Sequence, residues 1–430
     1  MRPLYGKGSV ALKRASEAVA EFRLPATLDL NDRLSTIFTN FAVMKILFVG
    51  DYSGFHASLA EELRRRGHQC TVVSDGSTFM DTDRDITLHR QPGFVGSVKY
   101  LYNACRVIER LRGYDVVQLI NAHFLRLRPG RLSYFLNGLK RNNGHVFLSH
   151  CSTDYYYAKA MLAGNVLEYS EYGFDGRQTE FTLHCSDTID SWLLPVNKVW
   201  ADTLYEEVDG AVSALYEYHK VWQPIFGDRL NYVGIGVDTR RLAYSPIPAG
   251  GPLRVLVAIK PNTAPNKGIR LLHKELRKLQ ERYPDEIELL VAEGLPLNEY
   301  LRLADSCHVV ADQIYSYTPA TNALQSMAMG KVVISGGEEE YYRFIGEEKL
   351  RPIINLDPRH DNFVDRLEPI LLDRADLQRR SREGRRLVER HNDVRIVADR
   401  LLSAWERMAK CYYNLSRSNS RFIPVKLQVY

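Results

Sequence analysis

Short apolar segments alternate with helical segments along most of the chain, and this alternation limits the possible folds more than any other feature. The segments KILFVG, CTVVS, DVVQLI, HVFLS and GAVS are almost continuously apolar or β-branched. Strands that are buried on both faces need such runs, whereas a strand with one exposed face alternates polar and apolar side chains. The pattern predicts parallel strands joined by right-handed helical crossovers, as in a doubly wound α/β sheet.

A second set of strands follows a segment rich in Pro and Gly, which reads as a linker. RVLVAI, IELLVA, CHVVADQI and KVVIS are its predicted strands, and we therefore expect two Rossmann-like domains facing a cleft. A C-terminal crossover helix should pack across both domains, because one face of it carries Val394, Val397, Leu401, Trp405 and Met408. The predicted divisions are 1–43 (extension), 44–243 (first domain), 244–252 (linker), 253–392 (second domain), 393–412 (terminal helix) and 413–430 (tail).

Composition excludes several classes of protein. The 430 residues contain no apolar run of 18 or more, so we expect no membrane-spanning helix. A net charge of +5 gives no argument for a nucleic-acid partner. The six cysteines form no CxxC pair and no metal-ligand spacing, which favours reduced thiols in a cytoplasmic protein without a metal site. Residues 1–43 lack a secretory pattern, and the strand-like text begins at Met44.

Open α/β sheets bind ligands at the carboxyl ends of their strands, so the loops there are the candidate sites. These loops are 50–56, 121–124, 150–154, 260–268 and 316–322. In the last of them, Pro319 suits a first helical turn and Thr318 could cap the helix. The N–H groups of Ala320, Thr321 and Asn322 would then point at the cleft, where they could bind phosphate. An ordinary helix start without a ligand is the alternative.

The segment that follows, NALQSMAMGKVVISGG, resembles retaining GT-B glycosyltransferases of family four, in which a helix LEAMAxG precedes a strand xPVVAS. Three further segments match that family in the same order: MKILFVGDYSGFHASLAEELRRRGHQCTVVS, DGAVSALYEYHKVW and YVGIGVDTRRLAYSP. The resemblance covers about residues 44–410. It implies transfer of a sugar from a nucleotide-diphosphate sugar to a glycan or lipid-linked acceptor, with retention of configuration. The nucleotide sugar would be a co-substrate, and neither a cofactor nor a metal would be required.

The chain departs from the family where two glutamates spaced E-x7-E would contact the donor. Tyr317 stands at the first position, which in the family reaches the donor sugar, and Gln325 stands at the second, which reaches the ribose. Both side chains can hydrogen-bond, but neither carries a charge. A different donor sugar, a different sugar pose or lost catalysis would each fit. A nucleotide-sugar epimerase and a non-catalytic relative that binds glycan or a partner enzyme therefore stay open as alternatives.

The family also places an Arg and a Lys five residues apart, followed by Gly, beside the diphosphate. Lys267 and Gly268 match the Lys-Gly pair, and Lys260 is the best match for the Arg, in a loop two residues longer. Two cations there would stabilise the negative charge that builds on the leaving group. Two lysines on a solvated turn are the alternative.

In the first domain, the loop with Gly50, Ser53 and Gly54 is expected to approach the acceptor and the donor phosphates, as the resemblance implies. His123 and His150 follow strands, and His150 with Asp154 forms the more suggestive pair. An imidazole there could polarise the acceptor hydroxyl, although a histidine at a strand end can also be structural.

Two segments leave both a functional and a structural interpretation open. Residues 152–184 are dense in Tyr, which suits either sugar rings or the packing of an insertion. Residues 94–141 carry nine basic side chains and two acidic ones. They could rest on an anionic membrane from the cytoplasmic side or simply form a solvated face.

Overall fold

The computed structural model describes residues 43–76, 81–260, 264–293, 295 and 297–420. The predicted extension 1–43 lies outside this part of the chain except for Val43, and so do residues 421–430 of the predicted tail. No helix within the described ranges is both long and apolar enough to cross a membrane.

The first domain is built on seven parallel strands in the order β10-β9-β5-β4-β1-β2-β3. These strands are β1 (Lys45–Val49), β2 (Gln69–Ser74), β3 (Ile86–Thr87), β4 (Val116–Leu119), β5 (His145–His150), β9 (Gly210–Ser213) and β10 (Leu230–Tyr232). Its helices are α1 (Phe55–Arg65), α2 (Gly93–Ile108), α3 (Pro129–Asn142), α4 (Tyr155–Ala163), α5 (Glu180–His184), α6 (Ser186–Trp192), α7 (Pro195–Glu207) and α8 (Tyr216–Phe226). The central strands β1, β4 and β9 are buried along nearly their whole length, as their continuous apolar runs require.

The second domain has a four-stranded parallel sheet in the order β12-β11-β13-β14. Its strands are β11 (Leu253–Ile259), β12 (Ile287–Glu293), β13 (Val309–Ala311) and β14 (Val332–Ile334). The helices are α9 (Ala264–Lys267), α10 (Ile269–Arg282), α11 (Leu297–Ser306), α12 (Thr321–Ala328), α13 (Glu339–Phe344), α14 (Phe363–Leu372) and α15 (Arg374–His391). The apolar stripe of α10, formed by Ile269, Leu272, Leu276 and Leu279, is buried against this sheet.

A small antiparallel sheet between α4 and α5 was not predicted. Its strands are β6 (Tyr169–Ser170), β7 (Gly173–Phe174) and β8 (Arg177–Gln178), in the order β6-β7-β8. The strands have only two residues each, too few for the period of two to show in the sequence. We call residues 168–180 the inserted hairpins.

The terminal helix α16 (Val394–Ser420) carries the chain back to the first domain. The predicted apolar face is buried, and Trp405 lies 6.3 Å from both Phe48 and Phe147, measured between ring centroids. The indole Nε1 donates to the buried Gln118 side chain at 2.7 Å. The helix continues to Ser420, so residues 413–420, which the sequence assigned to a tail, are helical.

Replacing Trp405 with Ala should lower the free energy of unfolding by about 3–5 kcal/mol, because it leaves a cavity between the sheet and α16. This loss of stability should exceed the loss caused by truncating a buried aliphatic side chain, because the Gln118 oxygen also loses its hydrogen-bond donor. Urea denaturation followed by circular dichroism measures this change. Ser403→Ala, on the exposed face of the same helix, is the matched control and should change stability by less than about 0.5 kcal/mol. Equal effects of the two substitutions would contradict the packing described here.

Candidate functional site

Both sheets have a point at which the crossovers leave in opposite directions, and a crevice forms there. In the first sheet this point lies between β1 and β4, which are neighbours in the sheet but are not consecutive in the sequence. In the second sheet it lies between β11 and β13. The loops that leave these four strands are therefore where a ligand would be expected, and they contain most of the predicted site residues.

The loop after β1 is held rigidly by backbone contacts. Gly50 has φ +81°, and a Cβ there would come within 2.3 Å of the Ile120 side chain, so only glycine fits. Asp51 accepts a hydrogen bond from the His56 backbone N–H at 2.8 Å, and the His56 ring lies 2.7 Å from the Gly50 carbonyl oxygen. Burial lowers the pKa of His56 to about 3, so this histidine is neutral and structural. The loop GDYSGFH is thus preformed.

One pocket of about 240 Å³ joins this loop to the second domain. Ser53 and Gly54 line it on one side, and Thr321 and Gln325 of α12 line it on the other. Part of the remaining wall comes from Gly236, Asp238 and Arg241 of the connection between the domains, and from Glu61 of α1. The structure therefore brings together two pairs of predicted site residues, Ser53 with Gly54 and Thr321 with Gln325, that are separated by at least 267 positions in the chain.

Helix α12 begins at Thr321, with Ala320 as its N-cap residue and no side-chain cap. The prediction that Thr318 caps this helix, with Pro319 in its first turn, is therefore wrong. Thr318 instead donates its hydroxyl hydrogen to Glu217, at 2.5 Å. In the described structure, no side chain accepts a hydrogen bond from the N–H groups of the first turn of α12. These groups lie beside the pocket that Thr321 lines.

Lys267 and Lys260 lie at the carboxyl end of β11, as predicted. The Lys267 ammonium pairs with Asp312 at 2.7 Å, and Asp312 is only 3% exposed. Burial, and then the positive charge of Lys267, lowers the pKa of Lys260, so the two cations are close enough to interact. Asp312 also accepts a hydrogen bond from the Asn322 amide at 3.1 Å. This aspartate therefore connects the lysines to the start of α12.

Gly268 fixes the direction of Lys267. It has φ +65°, and a Cβ would lie 2.5 Å from Ile314 and 2.8 Å from Tyr315. The Ile314 N–H donates to the Lys267 carbonyl oxygen at 3.0 Å. The close approach of these two backbone segments needs a glycine directly after Lys267.

Tyr317 does not line the pocket described above. Its side chain is 3% exposed, its hydroxyl accepts from the Glu168 backbone N–H at 2.9 Å, and its ring lies 4.7 Å from that of Tyr169. The Tyr169 hydroxyl in turn donates to Glu338 at 2.7 Å. Tyr317 thus binds the inserted hairpins to the second domain. Gln325 keeps the position at the pocket that was predicted for it.

His150 lies inside the first domain. It is 1% exposed, its ring stacks on Trp222 at 3.8 Å, and burial holds its pKa well below the ordinary range. Asp154 caps α4 by accepting from the Tyr157 N–H at 3.0 Å, and it also accepts from the Tyr205 hydroxyl. Burial raises its pKa to about 6. The structure places both residues in an aromatic core, so we do not include them in the candidate site.

His123 is half-buried, with Trp192 5.3 Å away in an edge-on arrangement. It lines a second, smaller cavity of about 40 Å³ together with Gly50, Asp51, Tyr52 and Arg126. This cavity lies at the carboxyl ends of β1, β2 and β4. His123 and Gly50 thus line the same cavity, which no residue of the second domain lines, and their role beside the acceptor stays a prediction.

Two acidic residues of the cleft were missed from the sequence. Asp312 could have been found, because it directly follows the strand run CHVVA at the carboxyl end of β13. Glu217 gives no such signal, since it lies in the first turn of an ordinary amphipathic helix. Its carboxylate accepts from the backbone N–H groups of Tyr317 and Thr318 at 2.6 and 2.9 Å. Among the described residues, no group of three or more His, Cys, Asp or Glu side chains could hold a metal ion.

Solved structures share this arrangement of two sheets. A sucrose-phosphate synthase from Thermosynechococcus elongatus has a TM-score of 0.51 and 14% identity, over 87% of this chain and 100% of that chain. HepE from Anabaena, solved in complex with UDP and glucose, has a TM-score of 0.52 and 13% identity, over 84% and 99% of the two chains. No family model and no curated protein matches the sequence. The chain has the GT-B fold, as predicted, and identities this low show the fold alone.

Two glycines with nearly equal dihedral angles test the importance of the contact at Gly268. Gly164 has φ 62° and ψ 25°, and Gly268 has φ 65° and ψ 22°. Gly164→Ala should cost about 1–2 kcal/mol from backbone strain alone, since nothing lies within 4 Å of its added Cβ. Gly268→Ala should cost at least about 1 kcal/mol more, from overlap with Ile314 and Tyr315. Thermal unfolding of both variants measures the difference, and equal losses would show that the close approach is not needed.

Proposed function

We propose that this protein is a glycosyltransferase that moves a sugar from a nucleotide-diphosphate sugar to a hydroxyl group of a glycan or lipid-linked acceptor. The pocket shared by the two domains carries this proposal. It combines a rigid loop with glycines at positive φ, a helix start with available N–H groups, and the side chain of Gln325. Lys260 and Lys267 supply positive charge at the switch point of the second sheet.

The diphosphate and the ribose of a nucleotide-diphosphate sugar each have a proposed partner in this arrangement. Thr321 and Asn322 at the start of α12 would face the diphosphate, because unpaired donors and the positive end of the helix dipole coincide there. Lys260 and Lys267 would stabilise the charge of the departing diphosphate. Gln325 would contact the ribose. HepE was solved with UDP and glucose, which makes UDP the first nucleotide to test.

The resemblance to family four supports two finer proposals about the reaction. The sugar would keep its anomeric configuration, and the leaving phosphate would take the acceptor proton, so that no protein base and no metal are required. The reaction would take place in the cytoplasm, which agrees with the free thiols of Cys70, Cys105, Cys151, Cys185 and Cys307. The glycan product would belong to polysaccharide biosynthesis.

A second candidate is a GT-B protein that binds a nucleotide, a glycan or a partner without catalysing transfer. Two observations favour it. Tyr317, which replaces the family's sugar-binding glutamate, packs against Tyr169 and the inserted hairpins. In addition, the Lys267 ammonium is already paired with Asp312, so part of its charge is neutralised. An epimerase is the third possibility from the sequence, and no contact in the structure favours it.

A thermal-shift series with UDP, GDP, ADP, TDP and their sugar conjugates tests the nucleotide site without knowledge of the acceptor. A ligand that binds only the folded state raises its stability by about 2.7 kcal/mol at a concentration of 100 Kd. We expect a clear shift with one nucleotide. Lys267→Ala should weaken the binding of that nucleotide about tenfold or more, because the substitution removes a charge-assisted contact to phosphate.

Lys274→Ala is the matched control, since Lys274 is an exposed lysine of the same domain. It should leave nucleotide affinity unchanged. No shift with any nucleotide would overturn the enzymatic proposal in favour of a binding role. A shift accompanied by a sugar product formed from donor alone would indicate an epimerase.

We also propose that helix α2 makes a peripheral contact with an anionic membrane. Phe94, Val95, Val98 and Tyr102 are between 52% and 84% exposed, and all four lie on this helix. The segment 94–141, which contains these apolar side chains, also carries nine basic residues: Lys99, Arg106, Arg110, Arg112, Arg126, Arg128, Arg131, Lys140 and Arg141. A helix with exposed apolar residues and neighbouring cations suits the boundary between headgroups and acyl chains.

Vesicle sedimentation tests this contact. Vesicles that contain phosphatidylserine should bind the protein. The double variant Phe94→Ser, Val95→Ser should bind these vesicles about tenfold or more weakly, because it lacks two apolar side chains that would enter the membrane. Val199→Ser removes another exposed valine, from α7, and should have no effect. Equal binding to vesicles of phosphatidylcholine alone, or no loss in the double variant, would show that α2 is an ordinary solvated helix.

A further inference from the structure

A cavity of about 220 Å³ lies between helix α2 and the segment 87–91 that precedes it, and we call it the α2 cavity. Its polar lining consists of Thr87, His89 and Gln91 from the segment and Lys99 and Asn103 from the helix. Among the described residues, no Asp or Glu lines it. The α2 cavity is separate from the proposed nucleotide pocket and combines a cation with several uncharged polar groups.

The walls of the α2 cavity are held together by contacts outside its polar lining. Gly96 is buried, and a Cβ there would come within 2.3 Å of the Gln91 carbonyl oxygen, so the segment and the helix are in close contact. The Arg90 side chain donates to the Ser97 hydroxyl at 3.0 Å, and this hydroxyl donates to the Gly93 carbonyl oxygen at 2.8 Å. The cavity is therefore formed before any ligand binds.

Most polar side chains of this lining are available to a ligand. Within the part of the chain that the structure describes, no hydrogen bond or ion pair engages the side chains of His89, Gln91, Lys99 and Asn103. The Thr87 hydroxyl accepts from the Arg84 side chain at 3.1 Å and can still donate. An ammonium group, two amides and a hydroxyl all supply hydrogen-bond donors. A small anion with several acceptor oxygens would satisfy these donors together.

The α2 cavity lies beside the exposed apolar side chains of the same helix. Phe94, Val98 and Tyr102 form one row along α2, because residues four positions apart lie on the same face of a helix. Lys99 and Asn103 form the neighbouring row. With α2 on a membrane, as proposed above, the apolar row would enter the boundary of the acyl chains and the cavity would lie at the level of the headgroups.

One side chain separates the α2 cavity from the smaller cavity that His123 and Gly50 line. Tyr100 contributes to the walls of both cavities and is only 3% exposed. Its hydroxyl accepts from the Arg126 backbone N–H at 3.0 Å, which fixes the ring in place. A group bound to Lys99 would therefore lie close to the carboxyl edge of the first sheet.

We propose that the α2 cavity binds a phosphate monoester carried by a lipid. This inference rests on the proposed membrane contact of α2 and names the headgroup that this contact would select. Lys99 would pair with the phosphate, while the amides of Gln91 and Asn103 would donate to its remaining oxygens. A choline headgroup would fit less well, because its positive charge would face Lys99.

Vesicle sedimentation at matched surface charge tests this selection. One set of vesicles contains phosphatidic acid, in which the phosphate is terminal, and the other contains phosphatidylglycerol, in which two esters flank the phosphate. The protein should bind the first set about fivefold or more tightly, because a terminal phosphate offers a third acceptor oxygen and more charge. Asn103→Leu removes a donor without changing the charge of α2 and should abolish this preference, as should Lys99→Ala.

Arg106→Ala is the matched control, because Arg106 is an exposed cation that continues the apolar row of α2 and does not line the cavity. It should weaken binding to both sets of vesicles equally and leave the preference unchanged. Equal binding to both sets by the wild type, or a preference that Asn103→Leu retains, would refute the headgroup site alone. No binding to any vesicle would refute the membrane contact and the headgroup site with it.

Thermal unfolding without vesicles completes the test. Lys99→Ala and Asn103→Leu should melt like the wild type, since neither side chain has a partner in the described structure, so a lost preference would not reflect unfolding. Glycerol 3-phosphate carries the same phosphate monoester without acyl chains. It should bind about tenfold or more weakly than the lipid, because it lacks the apolar contact with α2. Equal affinity in solution, lost in Asn103→Leu, would show that the cavity takes a soluble phosphate ester and would overturn the lipid source.

Discussion

The carboxylate of Glu217 holds two backbone N–H groups of the opposite domain, and the geometry of the cleft depends on this contact. Its oxygens lie 2.6 and 2.9 Å from the nitrogens of Tyr317 and Thr318 and 2.5 Å from the Thr318 hydroxyl. Hydrogen bonds to a charged acceptor are about twice as strong as neutral ones. The loop that Glu217 holds leads directly into α12, so a residue of the first domain determines where the helix of the second domain starts.

The inserted hairpins support that contact from outside, mainly through aromatic packing. Ion pairs such as Glu168 with Arg359 and Glu180 with Arg270 join the hairpins to the second domain, but their side chains are partly exposed and such pairs contribute about 0–1 kcal/mol. Tyr169 and Tyr317 are 1% and 3% exposed, with ring centroids 4.7 Å apart. Burial of two large rings contributes more than the ion pairs, and these pairs then mainly fix the orientation of the hairpins.

The sequence predicted the main strands of both sheets and the terminal helix because each buries a long apolar run or stripe, as β1 and α16 do. It also predicted that Ser53, Gly54 and Thr321 face one cleft, since all three follow carboxyl ends of strands, whereas Gln325 was predicted from the family resemblance. The inserted hairpins could not be predicted, because two-residue strands carry no periodicity. His150 was misplaced because a strand end reads the same whether its last side chain faces the cleft or the core. Glu217 was missed because its importance arises from packing between segments that are distant in the chain.

The charges of the cleft are divided between its two sides. Lys260 and Lys267 belong to the second domain, whereas Glu217 belongs to the first domain. In the proposed reaction, a donor with a diphosphate would be drawn to the lysines and away from Glu217, which would favour one orientation in the cleft. Asp312 neutralises part of the Lys267 charge, so in the proposed reaction the lysines would hold the diphosphate less tightly and release it more readily. Glu217 can stay buried without a paired cation in the described part of the chain, because the N–H groups of Tyr317 and Thr318 and the Thr318 hydroxyl donate to its carboxylate.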